Sequence, residues 1–302
     1  MIKKTRKEKI IWRDIIKPIP KDLEQLRKKF DIHPIIIDEL EKPSIRPRVE
    51  FFKKYIYFAY LFPVYNPKDR VSHRGEVDFI VTKNEVTTIR YEKLEAFKEF
   101  EETMRDKENH KKIFRDPLHF IYSLLMTLSS FEERQLSRVQ EKIESVASKL
   151  FLDKEKEILR EISYLKRDIA ECSVITKPMS YVLESLINNG SKLWGDRARI
   201  YLNDILGEHL KLVHRLENYE NAVKDHEDTN SQLLGLKINE VAKNFSILAF
   251  LTFPLMLFAA LFSMNTTYTP LVGQKYGFWI ILGAMAVSMI IMFIYFKKKH
   301  WL

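Results

Sequence analysis

The sequence predicts an α+β domain followed by long helices that lead into two membrane-spanning helices. Three observations carry that prediction. The first is a pair of uncharged stretches, "FSILAFLTFPLMLFAALFS" over 245–263 and "YGFWIILGAMAVSMIIMFIYF" over 276–296. Each holds about 20 residues, enough for a helix to cross a hydrocarbon core of about 30 Å. The second is the run from Gly195 into the first stretch, where no proline falls before Pro254. One helix of roughly 65 residues, about 100 Å, is therefore allowed. The third is the N-terminal hundred residues, where aromatic and β-branched runs alternate with short amphipathic segments. A lone helix of that length with a polar stalk is unstable in water, so an oligomer is expected.

The expected division is an α/β domain over 1–115, a long-helix stalk over 116–244, spans over 245–265 and 276–296, a short outer loop over 266–275 and a basic tail over 297–302. In "IPKDLEQLRKKFDIHPIIIDELEK", two short helices break at His33-Pro34, because the residue before proline avoids helical angles. "RVEFFKKYIYFAYLFPVYN" reads as a strand stopped by Pro63 and Asn66, and "EVDFIVTKNEVTTIRYE" as a hairpin around Lys83-Asn84. From about Pro117 the apolar spacing becomes three and four, giving a long amphipathic helix. The next helical run is expected to break near Pro178 and end at Asn188-Asn189-Gly190.

The charges orient the spans. Lys237 and Lys243 precede the first, Lys297, Lys298, Lys299 and His300 follow the second, and the loop between carries only Lys275. The positive-inside rule then puts both termini in the cytoplasm of a two-span inner (plasma) membrane protein. "MIKKTRKEKIIWRD" lacks the apolar core of a signal peptide. The single cysteine, Cys172, forms no internal disulfide, as suits a reducing compartment. The net charge of +9 is absorbed by membrane flanks and helix surfaces, so no nucleic-acid partner is expected. No phosphate loop, HExxH or nucleophile elbow is present, and His33, His209 and His214 have no evident metal-ligand partners, so neither an enzyme nor a resident cofactor is expected.

A long helix entering the first span, a Ser263-Met264-Asn265 triplet at its end, a short loop, a second span and the terminal "KKKHWL" form a distinctive order. That order resembles the CorA family of divalent-cation channels, whose triplet is Gly-Met-Asn. "FDIHPIIIDEL", "RPRVEFFKKYIYF" and "INEVAKNFSILAFLTFPLMLF" extend the resemblance over nearly the whole chain. It implies a funnel-shaped homopentamer in which five first spans line a pore and the second spans form an outer ring. The matching pore-facing positions are Asn239 at the inner entrance, then Phe245, Phe253 and Met256, then Asn265 at the outer mouth. A ring of Asn265 carbonyls accepts hydrogen bonds from the water shell of Mg²⁺ without stripping it, and Phe245 and Phe253 make apolar constrictions. Taken alone, Phe253 reads equally as lipid or helix packing, and Asn265 as a helix C-cap. The family also senses cytoplasmic metal between neighbouring subunits. Asp38 and Glu39 match one side of that site and Asp204 the other, while Met126 occupies a second carboxylate position.

Two departures bear on the ion. Ser263 replaces the triplet glycine, and the loop "TTYTPLVGQKY" has Thr267 and Leu271 where carboxylates attract cations in the family. The Zn²⁺-transporting, ZntB-like branch changes the middle of the triplet instead. Three expectations follow: a Mg²⁺ channel passing also Co²⁺ or Ni²⁺, a Zn²⁺ transporter coupled to protons, or a non-conducting membrane-anchored sensor.

Overall fold

A computed structural model of the chain describes residues 3–4, 10–44, 46–264, 271 and 274–299. The chain divides into two compact units, Met1–Asp228 and Thr229–Leu302.

The first unit is built on a six-stranded sheet. Its strands are β1 (Lys3–Lys4), β2 (Ile11–Ile16), β3 (Val49–Phe51), β4 (Ile56–Asn66), β5 (Val71–Val81) and β6 (Glu85–Arg90), in the order β1-β2-β6-β5-β4-β3. Among the described residues, only β2 and β6 pair in parallel. Side chains alternate between the two faces, as the strand period of two requires. Tyr57, Ile80, Ile89 and Ile15 meet α1 (Pro20–Phe30) and α2 (Pro34–Glu39) on one face. Phe58, Phe79 and Val81 join the larger core of the other face, which draws on α3 (Glu95–Thr103), α4 (Lys107–Ile113), α5 (Pro117–Lys149) and α7 (Met179–Trp194). The rings of Phe58 and Phe79 stack across β4 and β5 with centroids 4.5 Å apart, a pairing worth about 0.5–1.5 kcal/mol beyond the area it buries.

The break between α1 and α2 falls where expected. Asp31 takes the left-handed conformation (φ 57°) that ends α1, and His33 caps α2 by accepting from the Ile35 N–H. Two expectations are corrected. The aromatic run is two strands, and β4 passes through Pro63 to Asn66. Along the outer side of β4, Ala59 N–H bonds to Arg48, Leu61 N–H to the Met179 sulfur and Tyr65 N–H to Gln135. The missing N–H of Pro63 lies in that row, beyond the reach of the short strand β3, where no ladder bond is lost. The second correction is Gly190, which lies inside α7 rather than ending it. A Cβ there would stand 3.0 Å from the Trp194 ring, so the glycine is a packing site, and α7 ends at Gly195 with φ 79°.

Asp116 starts α5 by accepting from the His119 N–H, with Pro117 in the first turn. Then α5, α6 (Glu155–Thr176) and α8 (Ala198–Ser263) share a second core, in which Val139, Ile143 and Val146 face Ile158, Ile162 and Leu165, with Leu212, Leu216 and Tyr219 from α8.

The second unit contains the C-terminal part of α8 and α9 (Gly277–Lys298). Both helices are long and apolar enough to cross a membrane, with mean hydropathy of 2.3 and 2.4 over their most apolar windows. Only 6% of each window is buried. Apolar helices left this open are suited to lipid or to one another rather than to water.

Candidate ion pathway and metal sensor

The last part of α8 has two opposite faces. Ile247 is buried, and Leu251, Pro254, Leu255, Phe258 and Phe262 are half-buried. Phe250, beside that face, makes a ring contact of 6.2 Å with Phe296 of α9. On the opposite side, at alternating three- and four-residue steps, stand Asn239, Ala242, Ser246, Ala249, Phe253, Met256, Ala260 and Ser263, all exposed. Most are small or polar, in a helix whose flanks carry large apolar side chains such as Leu248, Leu257 and Leu261, each at least half exposed. Such a seam lets helices approach closely and keeps oxygen and amide groups off lipid.

Of the positions expected in a pore, those within α8 stand on or beside this face. Asn239, Phe253, Met256 and Ser263 lie on the seam itself, and Phe245 stands next to Ser246 with 68% of its surface open. The three large apolar members, Phe245, Phe253 and Met256, are each more than two-thirds exposed. Side chains this apolar and this open are suited to line a constriction between copies. The Ser263 hydroxyl donates to the Ala260 carbonyl at 3.0 Å, leaving its lone pairs as acceptors. Met264 follows the last helical residue, and Asn265 lies outside the described residues. The seam was readable from the three-four spacing of small residues, a signal that mean hydropathy hides.

In the first unit α8 repeats the division. Ile205, His209, Leu212, Leu216, Tyr219 and Val223 are buried. Asp204, Gly207, Lys211, His214, Asn218, Asn221, Asp225 and Asp228, at the same alternating steps, are exposed. Every one of these eight is polar or glycine, where a helix in a dry bundle would carry leucines.

The residues expected to form a sensor are dispersed within one chain. Asp38 is exposed on α2. Glu39 pairs through one oxygen with the Arg48 guanidinium, while its Oε2 is buried without a hydrogen bond among the described residues. Close by, burial and the Glu76 charge push the Asp78 carboxyl well above the usual carboxylate range, with Tyr57 and Tyr91 donating to it at 2.9 Å. Asp204 is exposed on α8 and accepts from the Tyr122 hydroxyl at 2.6 Å. Among the described residues, no three His, Cys, Asp or Glu side chains gather as a metal-holding group. Each chain thus carries both halves of the expected site without joining them.

The profile of the family described as "CorA-like Mg2+ transporter protein" matches residues 7–298. The chain is 26% identical over 280 residues to the cobalt/magnesium transport protein CorA of Thermotoga maritima, covering 93% of this chain and 80% of that one. It is 22% identical over 298 residues to the protein of the same description from Methanocaldococcus jannaschii, covering 97% and 92%. The complete structure of the CorA magnesium transporter from Methanocaldococcus jannaschii superposes with a TM-score of 0.85 at 20% identity, over 97% of this chain and 92% of that one. The likeness of fold thus runs through the α+β domain, the long helix and both candidate spans.

Proposed function

This chain belongs to the CorA-like Mg²⁺ transporter family, and from that premise we propose that it forms a homopentameric channel carrying Mg²⁺, with Co²⁺ or Ni²⁺, across the plasma (inner) membrane. The observation that carries the reading is the exposed seam of α8. It holds Asn239, Phe253, Met256 and Ser263 in one line on the side opposite the packed face. In the pentamer the soluble part is residues 1–115, the stalk 116–244, the spans 245–265 and 276–296, the outer loop 266–275 and the tail 297–302. Both termini are cytoplasmic, because positive charge flanks the ends of the two spans that lie away from the connecting loop.

The cation enters past Thr267 and Leu271 and meets a ring made by Ser263, Met264 and Asn265. Mg²⁺ keeps most of its waters, and neutral oxygens bind such a shell weakly enough to release it. Phe253, Met256 and Phe245 form the apolar narrowing below, and Asn239 the inner exit. On the cytoplasmic side, Mg²⁺ between Asp38 or Glu39 of one copy and Asp204 of the next offsets their repulsion and holds the closed form. With Met126 at the second carboxylate position, that sensor has a single site.

A second reading is favoured by one feature, the loop whose only charged residue is Lys275. Without an acidic ring, capture of Mg²⁺ is weakened, and Zn²⁺ transport of the ZntB-like kind, coupled to protons, becomes the alternative. The test is uptake into liposomes under an inside-negative potential, offering Mg²⁺, Co²⁺, Ni²⁺ and Zn²⁺ in parallel. Mg²⁺ uptake that Asn265→Ala removes supports the channel. Zn²⁺ uptake alone, dependent on a pH gradient, supports the alternative, and no flux of any ion leaves the sensor role.

A further inference from the structure

A cavity of about 440 Å³ opens where the first turn of α5 meets the β5–β6 turn, the end of α7 and the start of α8. Its size falls in the range of small-molecule sites. Lys83 from the strand turn, Arg115 before α5 and Arg197 before α8 all line it. Their side chains are exposed, and among the described residues none of the three forms an ion pair. The carboxylate on the same wall, Asp116, is already engaged. Its Oδ1 accepts from the His119 N–H at 3.0 Å and lies 2.8 Å from His119 Nδ1. Three cations therefore share one opening with a single carboxylate, which leaves the wall net positive.

The remaining wall is aromatic. Trp194 is seated on Gly190, whose missing Cβ leaves room for the indole. Its Nε1–H is screened from solvent and has no acceptor among the described residues. Tyr201 is held against His119 and Tyr122, with ring centroids 4.9 Å and 5.1 Å away. Guanidinium groups recognise phosphate oxygens in pairs, and flat aromatic walls take up bases irrespective of sequence.

We propose that this cavity is a nucleotide site, with Lys83, Arg115 and Arg197 holding the phosphates and the base lying against Trp194 and Tyr201. The inference rests on the cavity alone and holds whichever ion the protein carries.

The test is binding of ATP and ADP to the full-length protein in nanodiscs, in EDTA, by calorimetry and by quenching of tryptophan fluorescence. The expected result is a Kd below about 100 μM for both, with adenosine inactive and pyrophosphate weaker. Arg115→Ala combined with Arg197→Ala is expected to weaken binding at least tenfold at an unchanged melting temperature. If that double variant is unstable, Lys83→Ala alone is expected to weaken binding at least threefold. Trp194→Phe is expected to remove the quenching and to leave ATP binding measurable by calorimetry. Absence of binding at about 1 mM ATP, or affinity unchanged in the cation variants, overturns the site. Pyrophosphate binding as tightly as ATP overturns the role of the aromatic wall.

Discussion

Tyr122 on α5 donates its hydroxyl to Asp204 on α8 at 2.6 Å, and this bond pushes the tyrosine up to about 12. A carboxylate that already accepts a short hydrogen bond has less charge to offer a metal ion. Tyr122→Phe frees it without removing the ring that packs on Tyr201. Because the net contribution of one such bond is about 0.5–1.5 kcal/mol, the variant is expected to bind regulatory Mg²⁺ roughly 2- to 10-fold more tightly. Protection from limited proteolysis, titrated with Mg²⁺, reads this directly. An unchanged midpoint would separate Asp204 from the sensor.

The seam of α8 makes a positional prediction. Ala249 and Ser246 lie on it, while Leu248 stands off it at 57% exposure. Adding bulk at a close-packed or pore-lining position obstructs it, and the same bulk toward lipid is tolerated. Ala249→Leu is expected to lower liposome uptake at least tenfold, and Leu248→Phe to leave it within a factor of two. Equal effects at both positions would mean that the seam does not face the ion.

The elements legible in the sequence are those whose signal is local. The α1–α2 break announces itself through His33-Pro34, and the unbroken run to Pro254 appears as the 66 residues of α8. The hairpin at Lys83-Asn84 likewise follows from its two β-rich arms. What escaped depends on partners distant in the chain. Strand β2 is not picked out by its own residues until its pairing with β6 is known, and Pro63 stops a strand only where a neighbour needs its N–H. Gly190 ends a helix by propensity, but Trp194 and Leu202 pack on its bare Cα and keep it helical. At the site, the apolar length of the spans was legible, whereas the Glu39–Arg48 pair and the Tyr122–Asp204 bond join residues 9 and 82 positions apart. No local pattern encodes contacts of that range.

Glu132 on α5 is enclosed against β4, where its Oε1 accepts from the Tyr60 hydroxyl at 3.0 Å. Burial pushes its carboxyl up to about 8. The folded protein therefore holds a proton here that the unfolded chain releases from about pH 4.5. Stability from this group is fully present below that pH and is lost as pH rises toward 8. The pH-dependent part amounts to about 4 kcal/mol at pH 7.5, at 1.36 kcal/mol per unit. Glu132→Gln keeps an acceptor for Tyr60 and removes the ionisation. Its melting temperature relative to the parent is expected to climb steadily between pH 5 and pH 8. A constant difference across that range would mean that Glu132 ionises in the folded state without cost.

His209 gives the opposite slope. It sits on the buried face of α8 at 1% exposure, and neither ring nitrogen completes a hydrogen bond among the described residues. Burial lowers the ring to about 4, outweighing a contact with the Thr176 backbone that favours the charged form. The folded state binds fewer protons than the unfolded chain between about pH 6.5 and 4, so stability is complete above 6.5 and falls as pH drops through that window. At pH 5 the loss is about 2 kcal/mol. His209→Leu fills the site with an apolar group of similar reach and abolishes the titration. The variant is expected to gain over the parent as pH falls from 7 to 5 in thermal unfolding of the full-length protein. Because this slope and that of Glu132 have opposite signs, combining Glu132→Gln with His209→Leu is expected to flatten the dependence of melting temperature on pH from both sides. A double variant as pH-sensitive as the parent would place the titrating groups elsewhere.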